Sequence, residues 1–108
     1  MQGKVVFLGL ILLAVLLEVI ADVLFKKWAL DNKSLLLGLG LFLYLIGTMF
    51  WAFSLKHEYL SKAISIFTVL NLVAVALIGV LVFKEDLSSV NKLGIALGVL
   101  SVVLIEWA

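Results

Sequence analysis

The sequence predicts an all-α membrane protein: four transmembrane helices in one domain, residues 1–108, completed as a dimeric bundle. Three observations carry this. Of 108 residues, 66% are hydrophobic and only 14% charged, against roughly half apolar and a quarter charged in soluble domains. Four apolar runs each approach the length of about 20 residues that crosses a hydrocarbon core of about 30 Å. Short polar segments bearing lysine separate them.

The first span, 5–25, is apolar except for Glu18 and Asp22. Lys4 followed by Val5 to Leu17 also has the outline of a secretory signal, with Val19-Ile20-Ala21 as a passable cleavage site. Glu18 would lie unusually close to that cut, so the segment is read as a retained span. The second and third spans, 35–55 and 63–83, carry no charge. The fourth, 88–107, has an uncharged core only from Leu93 to Ile105. It therefore borrows length from Ser88 to Asn91 and a snorkelling Lys92, or thins the bilayer around it. Strands of a membrane barrel would alternate in polarity over about 10 residues, and these unbroken runs do not.

The connections are Lys26 to Ser34, Lys56 to Lys62 and Lys84 to Lys92, and nothing remains for a second domain. Five lysines (26, 27, 33, 84 and 92) fall on the side of the first and third loops and three (4, 56 and 62) on the other. The positive-inside rule puts loops one and three in the cytoplasm and both termini outside. So slight a bias also permits insertion in both directions. Trp28 and Trp107 stand at span ends, as interfacial anchors do. Phe25-Lys26 before Asn32-Lys33 and Phe83-Lys84 before Asn91-Lys92 form a weak internal echo, for which coincidence is a sufficient cause.

Composition also excludes. The net charge of +1 gives no basis for nucleic-acid binding. No cysteine is present, so disulfides, thiolate metal sites and cysteine nucleophiles are ruled out. No phosphate loop, two-histidine metal spacing or serine nucleophile motif occurs. We therefore expect no enzyme activity, cofactor or metal, and His57 reads as a solvated loop residue.

Glu18 and Asp22 are four apart, one turn from each other on a single helical face. A carboxylate within the bilayer costs a few kcal/mol, so such groups face a bundle interior or wet cavity and are functional by default. Drawing a carboxyl group out of water favours its neutral form, so the pair are candidate carriers of protons and cations. Asp22 has an alternative as an exposed ion pair with Lys26 at headgroup level. Ser65, Thr68 and Asn71, three apart in turn, form a stripe that could line a cavity; Ser and Thr hydroxyls also bond back to their own helix, and Asn can join helices. Phe67 and Tyr59 could offer aromatic faces to an organic cation, or simply pack. Gly94, Gly98 and Ser101 make a small-residue face for close helix approach, read as a dimer interface, with packing inside one chain as the alternative.

Over nearly its full length the chain resembles the small multidrug resistance transporters of the drug/metabolite transporter superfamily, as a divergent member. The residues that carry this are Leu17-Glu18-Val19-Ile20-Ala21 with Lys26, Ala14 one turn before Glu18, and Gly94 with Ser101 seven residues on. The resemblance implies that Glu18 binds substrate and protons in alternation. It also implies an antiparallel homodimer, or a heterodimer with a paralogue, exporting quaternary ammonium, guanidinium or polyamine cations against a proton gradient. Where that family lines helix three with tyrosine and tryptophan, this chain has Ile64 and Phe67, and Val69 and Asn71 replace a glycine pair. Aromatic-drug specificity therefore does not carry over, and Asp22 has no assigned counterpart. Asn71-Leu72-Val73 and Phe83-Lys84-Glu85-Asp86-Leu87-Ser88 are similar to the wider superfamily, including small flippase subunits for lipid-linked aminosugars. The expected function is a proton-coupled antiporter of small cations in the inner or plasma membrane. The alternatives are such a flippase subunit or a non-transporting accessory subunit.

Overall fold

The computed structural model describes residues 2–107, which form four helices: α1 (Gln2–Asp31), α2 (Ser34–Ser54), α3 (Leu60–Leu81) and α4 (Ser89–Trp107). All four are long and apolar enough to cross a membrane. The chain divides after Tyr59 into two compact units, α1 with α2 and α3 with α4.

The first helix runs past the expected end at Phe25. Lys26 to Asp31 contains neither glycine nor proline, so the backbone has no reason to break where the charge begins. Lipid solubility sets the end of the apolar slab; backbone chemistry sets the end of the helix. That end comes at Asn32, whose φ is 59° and whose N–H donates to the Trp28 carbonyl at 2.7 Å. Asparagine tolerates this left-handed conformation better than most residues. A helix of 30 residues is about 45 Å long, so its Lys26–Lys27–Trp28 turn reaches the headgroup region.

Helix α2 returns antiparallel to α1. Its buried residues are Gly40, Gly47 and Ser54, seven apart on one face. A Cβ at Gly40 would meet the Phe25 ring at 2.6 Å and the Ala21 carbonyl at 3.3 Å. At Gly47 it would meet Glu18 Cγ at 2.9 Å and the Ala14 carbonyl at 3.3 Å. Small residues thus bring the backbones together where lipid offers no hydrophobic drive between helices. The Ser54 hydroxyl donates to the Trp51 carbonyl at 2.6 Å, which lets a polar side chain close the buried stripe.

Helices α3 and α4 touch far less than α1 and α2. The third helix begins at Leu60, three residues earlier than the apolar run suggests, and stops at Leu81. The fourth starts where the sequence places it: the Asn91 N–H donates to Ser88 Oγ at 3.1 Å, an N-cap bond. Lys92 lies within this helix and shares an apolar groove with Val73, Leu77 and Ile95, as a snorkelling stem would.

Candidate functional site

Phe7, Ile11, Ala14, Glu18 and Ala21 recur every three or four residues along α1 and are all buried. One stripe of a regular helix therefore carries both the packing surface and a carboxyl group. Glu18 is 5% exposed and stands near the middle of α1, about 24 Å of helix rise from its start and about 20 Å from its end. Its stem crosses α2 at Gly47, where any larger residue would displace it. The Tyr44 hydroxyl lies within hydrogen-bonding reach of the Glu18 carboxyl group. Glu18 Oε2 is buried and has no hydrogen-bond partner among the described residues. The carboxyl group thus has a phenolic donor within reach and one buried oxygen without a partner among the described residues.

The Tyr44 ring is held in turn. Phe25 lies 6.4 Å from it, centroid to centroid, with the planes tilted by 43°, and Gly40 provides the floor on which the Phe25 ring rests. Asp22 is half-buried one turn beyond Glu18 and acts electrostatically on both Glu18 and Tyr44. The structure therefore gathers Ala14, Glu18 and Asp22, expected from the sequence, with Tyr44, Gly47 and Phe25 from the hairpin they share.

The expected residues of the second unit separate. The Ser65 hydroxyl donates to the Ser61 carbonyl at 2.8 Å and that of Ser101 to the Leu97 carbonyl at 2.9 Å, so each bonds back to its own helix. Thr68 and Asn71 instead line a groove of about 380 Å³ with Leu72, Val75, Ala76 and Glu85. Phe67 is half-buried and lies outside that lining. On α4, a Cβ at Gly98 would make ordinary contact with Leu72 and Val69 of α3 at 3.7–3.8 Å, whereas one at Gly94 would meet nothing within 4 Å. Gly98 thus faces α3 of its own chain, and Gly94 and Ser101 stay exposed.

The sequence model of the EamA-like transporter family matches residues 4–107, all four helices included. The chain belongs to the EamA-like transporter family. It is accordingly a multi-pass membrane protein of the drug/metabolite transporter superfamily. No curated protein and no solved structure matches it.

For this EamA-like chain, the sequence reading missed the α2 half of the site. The signal was available: Gly40, Gly47 and Ser54 repeat every seven residues, the spacing that also separates Gly94 from Ser101. Tyr44, between the two glycines, is the phenolic residue of that span. Glu85 had no comparable signal, because its place depends on a backbone reversal at Lys84, whose φ is 56°.

Proposed function

We propose that the chain is a secondary transporter of the inner or plasma membrane in which Glu18 exchanges protons for a small cationic substrate. The observation that carries this reading is the Glu18 carboxyl group, buried at mid-helix with Oε2 unpartnered among the described residues. An ionisable group so placed costs a few kcal/mol unless a proton or counter-cation accompanies it. The two occupants exclude each other, and exclusion between proton and cation is the basis of antiport. Tyr44 orients the carboxyl group; Asp22 adds negative potential that draws cations in. Two chains, as an antiparallel homodimer or a heterodimer with a paralogue, enclose the substrate and open alternately to either side, with Gly94 and Ser101 at the contact.

The test is transport of guanidinium, a quaternary ammonium ion and a polyamine into proteoliposomes under an imposed proton gradient. Wild type accumulates at least one of them and Glu18→Gln none. Gradient-driven uptake by the Glu18→Gln protein would overturn the proposal.

The groove along Thr68, Asn71 and Glu85 favours one second reading, a subunit of a flippase for a lipid-linked aminosugar. On that reading the polar lining receives the headgroup, and translocation of such a lipid proceeds without a proton gradient and in the Glu18→Gln variant.

A further inference from the structure

We propose that a groove between α3 and α4 seats one acyl chain of an anionic phospholipid, with the Lys92 ammonium meeting the lipid's phosphate. The groove has a volume of about 300 Å³, the lower end of the range for small-molecule sites. Val73, Leu77 and Leu81 mark its wall on α3 and Ile95 its wall on α4. From Val73 to Leu81 the helix rises about 12 Å, and Leu81 is the last residue of α3. The trough therefore runs from the end of a span into its apolar interior, the path that an acyl chain takes from headgroup to tail. Leu87, from the loop between the two helices, joins the lining at that end.

Charge selects the lipid. Lys92 is the one charged side chain among the described residues of the lining. It is the fourth residue of α4, whose first turn holds no acid, and a cation there opposes the positive end of the helix dipole. An anion beside Lys92 offsets both positive charges at once. The loop acids do not supply it: Glu85 is seated over Gly79, and neither Glu85 nor Asp86 lines the groove. The uncharged core of α4 begins at Leu93, directly after Lys92. The Lys92 stem therefore lies along the apolar lining while its ammonium reaches the headgroup level. Basic side chains held between spans at that level bind anionic headgroups. A zwitterionic lipid brings its own cation to the same place and gains less there.

This groove does not draw on Glu18, so it stands or falls separately from the transport proposal. The full chain in detergent micelles is equilibrated with equimolar phosphatidylglycerol and phosphatidylcholine, and the lipids retained per chain are counted by native mass spectrometry. Wild type should retain phosphatidylglycerol about fivefold over phosphatidylcholine, the factor that corresponds to about 1 kcal/mol per lysine at an anionic membrane surface. Lys92→Gln should abolish that preference and Lys92→Arg preserve it. Val73→Trp, which fills the groove, should cut retention of both lipids with helix content by circular dichroism unchanged. Lys33→Gln removes the same charge from the first loop and should keep the wild-type preference. Equal retention of the two lipids by wild type, a preference that survives in Lys92→Gln, or an equal loss in Lys33→Gln would each overturn the proposal. So would full lipid retention by a folded Val73→Trp protein.

Discussion

Glu18 was legible from one line of sequence because a charge in an apolar helix has few explanations. Its partner was not, since a tyrosine in an apolar span can sit at an interface, pack or donate, and only the hairpin register decides. With the Tyr44 hydroxyl within reach of the Glu18 carboxyl group, Tyr44→Phe keeps the contact with Phe25 and removes only the hydroxyl. A hydrogen bond to a charged group contributes about 1.5–3 kcal/mol, so transport should fall about tenfold or more at unchanged helix content. Initial rates in proteoliposomes across a pH series check this, and a wild-type profile would mean that the phenol is idle. Ser65 teaches the reverse lesson: a hydroxyl spaced for a cavity face was instead taken up by a carbonyl of its own helix, as was that of Ser101 on the small-residue face.

At the scale of elements, the spans were readable and their ends were not. Hydropathy reports where lipid begins and ends, and α1 continued for six residues beyond that limit because nothing in Lys26 to Asp31 breaks a helix. The close approach of α1 and α2 depends on Gly47, so Gly47→Val must push aside the Glu18 stem or the Ala14 backbone. Overpacking of this kind costs about 1–3 kcal/mol, to be measured by denaturant titration in micelles. Gly38→Ala, with open space around it, is the matched control and should be neutral. Equal stability of the two variants would show that the hairpin closes by other contacts.

For the whole molecule, four crossings require the segments after α1 and α3 to emerge on one side and the segment after α2 on the other. The absence of cysteine makes this directly measurable with single-cysteine variants. Lys33→Cys and Asp86→Cys should react with an impermeant maleimide from the same side, and His57→Cys from the opposite side. A population inserted in both directions would label each site by half from outside, as the five-to-three lysine distribution allows. Labelling of Lys33→Cys and Asp86→Cys on different sides would break the four-span fold. The drug/metabolite transporter superfamily was reachable from sequence, through composition and the residues around Glu18, whereas the matching family model is the EamA-like one and not the small multidrug resistance group; the groove at Glu85 was not reachable, because a loop residue gains its place only from the turn before it.

The apolar stretches of these helices also differ in length, 21 residues over 5–25 in α1 against 13 from Leu93 to Ile105 in α4, or about 32 Å against about 20 Å. No single bilayer matches both. A thin membrane leaves the long helix to lean, and a thick one strains the short helix, each at a fraction of a kcal/mol per Å. Activity reconstituted in lipids of graded acyl length should therefore peak at an intermediate thickness, making the protein a gauge of the membrane in which it resides.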